Sequence, residues 1–468
     1  MKLVYDIHDR PPFAKNLVYA FQQLLAIIAA TILVPALVND ISGKELLNAG
    51  AAMIGAGVGT VVYLLFTRFK SPVFLGSSFA FISPLATAAS FGYFGIMLGA
   101  LVAGLVYVVL AIVIRLVGTN WISKLMPPVI IGPTVALIGL DLAGSAMNNV
   151  MNVATKQENY NLLAVLVGVL TFFFTILASV KGSKAIKMIP FVVGVAGGYL
   201  TALLITLIGY NLCGAEYCRL IDFSALNTIG DFSNWVPNLT FAHAWDFDAA
   251  NLLAVIIAFA PVAFVVFAEH VADHENISSI VGRDLLKDPG LDKTLLGDGV
   301  GSIVGALFGG CPNTTYGESI GCVAITGNAS VYTTLTTAIM CIVFAFFYPA
   351  LAFIKTIPTC VVGGICIALY GFIAVSGLRM FKQVDLDDSK NLFIVAAILI
   401  AGIGGLHVDI GPVTIKNIAC ALILGILTNL ILKPGKEKVQ KTVTPTSENA
   451  VVEETMFGTV TTEEKENK

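Results

Sequence analysis

Two glutamates, Glu269 and Glu318, lie in stretches of the chain that are otherwise almost entirely apolar. A carboxyl group among apolar side chains is costly unless it faces a cavity, has hydrogen-bond partners or carries a proton. Each glutamate is therefore either a protonated residue bonded to its neighbours or a group that binds ligands and protons. Because two such costly groups occur in separate stretches, we favour the second interpretation and expect a site for a polar ligand and a proton.

Three more titratable side chains follow Glu269. Asp273 comes four residues later, so in a helix it shares a face with Glu269 and is a candidate proton relay. His270 and His274 are candidates for the same role. The alternative is that all three simply face an aqueous vestibule, and the sequence leaves both interpretations open.

For four other polar residues in the apolar stretches, we expect structural roles rather than ligand binding. Gln22 and Gln23 are expected to pack against neighbouring helices, and one of them is a candidate hydrogen-bond partner of Glu269. Asp141 and Asp298 are expected at helix ends or in loops.

The elements that position these residues follow from composition. Of 468 residues, 57% are apolar and 12% are charged, which is about half the charged fraction of a soluble domain. Apolar runs of about 20 residues recur without the alternation of barrel strands, and each can cross a bilayer as a helix. The sequence therefore predicts an all-α polytopic membrane protein. About fourteen spans are expected, at 16–37, 46–67, 71–90, 92–114, 127–146, 161–180, 188–209, 250–281, 293–309, 312–329, 331–354, 358–378, 391–406 and 413–432.

The loop charges indicate an orientation, because lysine and arginine favour the cytoplasmic side of membrane proteins. With residues 1–15 as a cytoplasmic N-terminus, the cytoplasmic segments up to residue 441 carry 20 of these residues and the external segments carry 5. We therefore expect both termini to be cytoplasmic in a multi-pass protein of the cell (inner) membrane. Residues 210–249 are expected to form an external loop, and residues 434–468 a disordered cytoplasmic tail. The net charge of −3 says nothing about nucleic acid, and the sequence contains no basic cluster that would indicate a nucleic-acid partner.

The cysteines give one open question. Six of the eight lie in apolar runs, where cysteine is an ordinary small hydrophobic residue. Cys213 and Cys218 lie together in the expected external loop, where they either form a disulfide or remain free thiols.

Two pairs of segments suggest an internal repeat. Pro127 and Pro358 each precede an apolar run, and a glycine follows each proline five residues later. Residues 76–84 and 309–321, in spans three and ten, are short, polar and rich in glycine. Interrupted segments at matching places in two halves of a transporter point to its substrate site. Phe79 lies in the first of these segments and could stack on a planar ligand, as could Tyr316 in the second.

Residues 312–318 (Pro-Asn-Thr-Thr-Tyr-Gly-Glu), followed by Gly321 and by residues 324–326, resemble the signature of the nucleobase–ascorbate transporter family, or nucleobase:cation symporter-2 family. The resemblance covers both halves of the chain in order. It includes residues 31–35, 76–84, 127–139, 268–270, 284–291 and 369–377.

The resemblance implies a seven-plus-seven inverted repeat with a short strand in each of half-spans 3 and 10. Residues 16–114 and 250–354 would form a core domain that binds the substrate. Residues 127–209 and 358–432 would form a gate domain, through which two copies associate as a homodimer in membrane lipid. No enzyme activity, cofactor or metal is implied, and H+ is the expected coupling ion.

The implied activity is proton-coupled uptake of uracil or a related nucleobase by alternating access. Glu269 and Glu318 would accept the ring N–H groups, and Glu269 would also be the leading proton-linked residue. The other implied contacts are backbone N–H groups or pocket walls, at Phe79, Gly317, Ala30, Tyr316 and Tyr370.

Two positions depart from the family pattern. Ser319 stands where Asn is common, and Asp273 stands where uracil-carrying members have His, so the proton relay passes to Asp273, His270 or His274. Members that carry purines tend to have Gln at the position of Glu318, which favours a pyrimidine.

Four alternatives differ in what they require. A xanthine or purine symporter on the same fold is the nearest one. An anion exchanger would need a cation near the broken segments, and spans three, eight and ten contain no lysine or arginine. A membrane-embedded enzyme would need a metal-ligand cluster or an activated nucleophile, and the sequence shows neither pattern. A passive channel stays open, since sequence alone does not prove coupling.

Overall fold

The computed structural model describes residues 3–151, 160–237, 239, 250–410 and 413–432. The tail predicted at 434–468 and the 240–249 part of the predicted external loop lie outside these residues. The helices of the first half are α1 (Phe13–Ser42), α2 (Ala49–Phe66), α3 (Ile82–Ala88), α4 (Gly92–Val117), α5 (Asn120–Leu125), α6 (Pro128–Asp141), α7 (Ala143–Met151), α8 (Leu162–Lys181), α9 (Lys184–Met188) and α10 (Pro190–Ile205). Those of the second half are α11 (Ala250–Val281), α12 (Leu291–Leu307), α13 (Gly317–Thr326), α14 (Val331–Phe344), α15 (Tyr348–Lys355), α16 (Thr359–Arg379), α17 (Ser389–Ile403) and α18 (Asn417–Ile431). The described residues also contain short 3-10 and π-helical turns and four short strands: β1 (Leu75–Ser77), β2 (Asn313–Thr315), β3 (Val408–Ile410) and β4 (Val413–Ile415).

Many of these helices are apolar enough for a bilayer. Within the described ranges, eight helical segments are long and apolar enough to cross one, or nine if α14 and α15, which meet at a bend of 78°, form one span. Large apolar side chains on α8 point outward, among them Leu166, Phe173 and Leu177. Such a surface suits lipid rather than water. The predicted class, a mostly helical membrane protein, is therefore confirmed.

The helices pack in two sets. In the first set, α2 and α4 pack on α12, α1 and α2 pack on α14, and α11 packs on α4. In the second set, α6, α7 and α8 pack on α16, α8 packs on α10, and α17 packs on α18 and α6. Helices of residues 13–117 therefore pack mainly against those of residues 250–355, and helices of residues 128–205 mainly against those of residues 359–431.

Glycines bring α6 and α16 into close contact. A Cβ atom on Gly377 would lie 2.3 Å from the backbone nitrogen of Ala136, and one on Gly139 would lie 2.2 Å from the carbonyl oxygen of Tyr370. Neither distance leaves room for a side chain, so both positions require glycine. Because the residue numbers fall on one helix as they rise on the other, the two helices that follow Pro127 and Pro358 cross antiparallel.

Ion pairs join three segments that the loop charges predict to be cytoplasmic. Arg283, after α11, pairs with Asp6 of the N-terminal segment. Lys70, after α2, pairs with Asp288 at 2.7 Å. The hydrogen bond from Lys70 holds the pKa of the Asp288 carboxyl group below its ordinary value. The three segments therefore lie on one side of the protein, as their predicted alternation requires.

The two loop cysteines are free thiols. Cys213 is exposed and Cys218 is partly exposed, and no disulfide joins them in the structure.

Candidate functional site

A two-stranded sheet lies at the centre of the candidate site. Strands β1 and β2 pair antiparallel, with Gly76 opposite Thr314. The pairing extends beyond the strands, since the backbone nitrogen of Ser78 donates to the carbonyl oxygen of Pro312 at 3.0 Å. Each strand leads into a short helix, α3 after a 3-10 turn at Phe79–Phe81 and α13 directly. The two interrupted segments of the sequence thus meet through backbone hydrogen bonds, which satisfy polar groups that lipid could not.

The sheet carries a tyrosine whose ring needs the space above a glycine. A Cβ atom on Gly76 would lie 2.3 Å from ring atoms of Tyr316. The Tyr316 hydroxyl group donates to the carbonyl oxygen of Ser77 at 3.0 Å, and Thr31 Oγ1 lies 3.4 Å from it. The ring is thereby fixed across the strand pair at the edge of a cavity.

The cavity has a volume of about 350 Å³. Three carboxylate side chains line it: Glu269 and Asp273 from α11, and Glu318 from α13. Among the described residues, no group of another residue is hydrogen-bonded to either glutamate, whereas Asp273 Oδ2 accepts from Thr315 Oγ1 at 2.5 Å. The structure therefore brings the two glutamates singled out from the sequence to one space, with acceptor atoms available to a ligand.

Backbone donors face the same space. Gly317 is the first residue of α13, lines the cavity, and has no atom within 4 Å of where its Cβ would be. The first N–H groups of a helix have no partner in the helix, and the positive end of its dipole favours a carbonyl or anionic oxygen. The start of α13 thus supplies donors beside the acceptor atoms of Glu318.

Aromatic side chains close one end of the site. The Phe79 and Tyr370 rings meet edge to face, with centroids 5.9 Å apart. Phe79 lines the cavity, whereas Tyr370, on α16, does not line it and packs behind the Phe79 ring. Ala30, by contrast, is 1% exposed and does not line the cavity, whereas Ala26, one turn earlier on α1, does. On α1, the wall of the cavity is therefore formed by Ala26 and not by Ala30.

The two glutamines of α1 do not bond to Glu269. Gln23 Nε2 donates to Ser319 Oγ at 2.8 Å, and Gln23 Oε1 accepts from Thr337 Oγ1 at 2.9 Å. The expected bond to Glu269 was therefore wrong for Gln23, because this face of α1 points toward α13 and α14. The Gln23 bonds fasten the first turn of α13, which carries Glu318.

The two histidines are buried rather than exposed to the cavity. His270 Nδ1 lies 2.8 Å from Asp298 Oδ2, and His274 Nε2 lies 2.7 Å from the Tyr63 hydroxyl group. Both histidines are 0% exposed, so of the three residues after Glu269 only Asp273 lines the cavity.

Asp298 was expected in a loop or at a helix end, and this was wrong. It lies about two turns into α12 and is 0% exposed. The signal was present in the sequence, since an acid inside a predicted span needs a partner as much as Glu269 does. Asp141 does end α6, where Asn417 Nδ2 donates to its carboxylate.

The arrangement can bind a small planar molecule with both donors and acceptors. Carboxylate oxygens accept N–H groups, the start of α13 donates to carbonyl oxygens, and aromatic rings cover flat faces. Sequence analysis did not identify Lys187, which is partly exposed, or Arg379, which is exposed, and both also line the cavity. Within the described part of the chain, no group of three or more His, Cys, Asp or Glu residues is arranged to hold a metal ion.

The sequence is similar to known transport proteins. Residues 14–411 match the model of a permease family. The chain is 39% identical over 440 residues to the uracil permease of Bacillus caldolyticus, covering 93% of this chain and 96% of that protein. It is 36% identical to the uracil permease of Bacillus subtilis strain 168 (93% and 97% covered) and 33% identical to that of Escherichia coli K12 (91% and 93% covered). These relatives are transporters and not enzymes.

Solved structures share the fold. The transmembrane domain of a cyanobacterial bicarbonate transporter, BicA, matches with a TM-score of 0.58 at 18% identity, covering 91% of this chain and 99% of that chain. The murine anion transporter Slc26a9, in its inward-facing state, matches with a TM-score of 0.64 at 11% identity, covering 91% and 69%. At these identities the likeness concerns the arrangement of the helices alone.

Proposed function

Because the chain belongs to the permease family that contains the bacterial uracil permeases, we propose that it takes up uracil across the cell membrane together with a proton. The observation that carries the proposal is the shared cavity of Glu269, Glu318 and the N-terminal end of α13. Uracil presents two ring N–H donors and two carbonyl acceptors in one plane. Two carboxylates and free backbone N–H groups match that pattern, and relatives named uracil permeases align over more than 90% of the chain.

We propose one orientation of the ligand within the cavity. Glu269 and Glu318 accept the ring N–H groups, while the backbone N–H groups of Phe79 and Gly317 donate to ring carbonyl oxygens. Tyr316 forms the floor of the pocket, Ala26 lines it from α1 in the place implied for Ala30, and Tyr370 supports Phe79 from α16. In this orientation each polar atom of the base gains a partner, which offsets its loss of water.

Fourteen membrane segments in two inverted halves of seven organise this site. One of the eight long apolar segments, Phe79–Val117, would supply two membrane segments, the interrupted one at 75–91 and α4. The other five would be the interrupted segment at 313–326, the bent pair α14–α15, and the shorter helices α12, α17 and α18. Segment three pairs with segment ten through the antiparallel strands β1 and β2. Segment five crosses segment twelve through the antiparallel helices α6 and α16. Both pairs are offset by seven segments, which supports the inverted repeat.

The two packed sets of helices correspond to a core domain and a gate domain. Glu269 and Glu318 belong to the core, at 16–114 and 250–354, and Tyr370 to the gate, at 127–209 and 358–432. The open end of the cavity carries Lys187 and Arg379, which lie in segments predicted to be cytoplasmic. The cavity therefore opens inward, and movement of the core against the gate would open it to the other side. The gate domain is also the part through which two copies associate in the membrane.

Proton coupling is assigned to the carboxylates of the cavity. Glu269 is the leading group, because it contacts the ligand and bears a charge that burial makes costly. Asp273, one helical turn away, lines the same cavity and would exchange the proton with the cytoplasm. The only coupling species required is H+, and both chain termini are on the cytoplasmic side.

Uptake of radiolabelled uracil into proteoliposomes tests this proposal. We expect accumulation when an inward proton gradient is imposed, and competition by unlabelled pyrimidines rather than by xanthine. Uptake that persists after the gradient is collapsed would indicate a passive pathway. Competition by xanthine alone would reassign the substrate to purines on the same fold.

A further inference from the structure

Residues 4–10, which precede α1, form an additional edge along the loop between α13 and α14; we call them the N-terminal strap. The backbone nitrogen atoms of Val4 and Tyr5 donate to the carbonyl oxygen of Gly327 at 2.8 and 3.2 Å. The strap thereby pairs with this loop as a short parallel bridge. Two further backbone hydrogen bonds run in the other direction, from Ala329 to Tyr5 at 2.9 Å and from Val331 to Ile7 at 3.0 Å.

The strap buries one large apolar side chain. Ile7 is 1% exposed, whereas Val4 is 58% exposed. Ile7 therefore shares one packed cluster with three elements that build the candidate site, namely β1, α11 and α13. The members of the cluster on these elements are Leu75 of β1, Ile277 and Val281 of α11, and Ile320 and Val323 of α13.

Polar side chains attach the strap to the helices on either side. Arg283, which follows α11, pairs with Asp6. The Arg10 guanidinium group lies 4.6 Å from the centre of the ring of Tyr332 on α14 and donates to its hydroxyl group at 3.0 Å. Ion pairs as exposed as that of Arg283 contribute little to stability. The main attachment of the strap is therefore the buried Ile7 side chain together with the backbone hydrogen bonds.

Helix α13 connects the strap to the cavity. It has only 10 residues, a length at which an isolated helix is marginal, so its position depends on what holds its two ends. Gly327 caps its C-terminal end in the left-handed conformation, with a φ of 66°, and the carbonyl oxygen of the same residue accepts the two N–H groups of the strap. Glu318 lies nine residues before this cap, roughly 13 Å along the helix axis. A shift or rotation of the capped end therefore moves Glu318 as well.

We propose that the N-terminal strap is a positioning element of the ligand site and that Ile7 is its anchor. The strap holds the C-terminal end of α13 against α11 and so sets where the carboxylate of Glu318 lies relative to that of Glu269. Ile7 does not line the cavity and acts through α13. This inference rests on the proposed function, since uracil is the ligand that reports on the site.

Binding of labelled uracil to purified Ile7→Ala protein, measured well below its melting temperature, tests the anchor. A positioning role raises the Kd by roughly 2- to 30-fold and leaves the number of sites per protein unchanged. A loss of stability alone would lower the number of sites and leave the wild-type Kd. Ile398→Ala is the matched control, because Ile398 is 0% exposed but lies on α17, in the other set of helices. It should lower the melting temperature without changing the Kd.

A second pair of variants tests the backbone contact and leaves Ile7 in place. Val4→Pro removes one of the two N–H donors to Gly327, whereas Val4→Ala shortens an exposed side chain and keeps the donor. We expect the proline variant to bind uracil about twofold or more weakly than the alanine variant, which should match the wild type.

Three outcomes would overturn the inference. The first is a wild-type Kd for the Ile7→Ala protein, with or without fewer sites, which would make Ile7 a stabilising residue only. The second is an equal rise in Kd for Ile7→Ala and Ile398→Ala. The third is the same Kd for the two Val4 variants. Failure of the proposed function is distinguishable, because the wild-type protein itself would then bind no uracil.

Discussion

Thr315 Oγ1 donates a hydrogen bond of 2.5 Å to Asp273 Oδ2, and this bond fastens strand β2 to helix α11 at the wall of the cavity. The strand comes from one interrupted segment, and the helix carries Glu269. This side-chain contact therefore helps to hold the Glu269 helix against the strand that leads into α13, which carries Glu318. Hydrogen bonds to charged groups contribute about 1.5–3 kcal/mol, enough to affect binding measurably.

Replacing Thr315 by valine should weaken uracil binding about tenfold or more, because Asp273 loses its donor and β2 loses its link to α11. Valine keeps the shape of threonine, so packing changes little. Thr315→Ser, which retains the hydroxyl group, is the control and should restore most of the affinity. Binding of labelled uracil to purified protein measures both. Equal affinities of the valine and serine variants would show that the bond does not position the site.

Replacing Gly76 by alanine should disturb the Tyr316 ring, because the added methyl group would lie 2.3 Å from it. Overpacking of this kind costs about 1–3 kcal/mol. If the whole cost falls on uracil binding, the affinity decreases by roughly 5- to 150-fold. Uracil binding and melting temperature should be measured together. Gly144→Ala is the matched control, since no atom lies within 4 Å of its Cβ position. Unchanged binding by the Gly76 variant would mean that the ring is not part of the pocket.

The sequence predicted those features of the site that are determined by the residues of a single segment. Residues 76–84 and 309–321 contain too much glycine and polarity for lipid-facing helices, and the structure places β1 and β2 there. Glu269 and Glu318 stood out because a carboxylate in an apolar run needs a cavity or a partner, and both line the cavity.

The features that the sequence did not predict depend on how helices are rotated against each other. Gln23 bonds to Ser319 rather than Glu269, because the rotation of α1 about its axis comes from packing and not from its own sequence. The His270–Asp298 pair joins residues 28 positions apart on two helices. No local pattern specifies such a pairing, although the cost of a lone acid in a span shows that a partner must exist.

Replacing Ser319 by alanine should lower the stability of the protein more than its activity. Gln23 Nε2 would be left as a buried donor without its present acceptor, at a cost of about 1–3 kcal/mol. Interhelical hydrogen bonds in membranes average about 0.6 kcal/mol, so the low end of that range is expected. Melting temperature in detergent measures the loss, and the exposed Ser279→Ala on α11 is the control. If the Gln23→Ala and Ser319→Ala losses simply add in the double variant, the two side chains do not interact.

Replacing Glu269 by glutamine should abolish concentrative uptake, because the amide cannot take up or release a proton in the neutral pH range. Accumulation of uracil under an inward proton gradient should fall to the level reached without a gradient. Glu275→Gln is the matched control, since it lies on the same helix, is exposed and does not line the cavity. Uptake by the Glu269 variant with the pH dependence of the wild type would contradict its assignment as the proton-linked ligand.

Replacing Glu318 by glutamine should change selectivity as well as affinity. The carboxylate accepts hydrogen bonds at both oxygens, whereas an amide presents one acceptor and one donor, so a ring N–H group can be left facing another N–H group. We expect uracil affinity to fall about tenfold or more, with a smaller loss, or a gain, for xanthine. Competition of unlabelled uracil and xanthine against labelled uracil measures the ratio of their affinities. The Glu318→Asp variant keeps the carboxylate on a shorter side chain and so separates the effect of charge from that of side-chain length. If the glutamine variant binds uracil as tightly as the wild type, the second ring N–H group is bound elsewhere, and Asp273, the remaining carboxylate of the cavity, becomes the group to test.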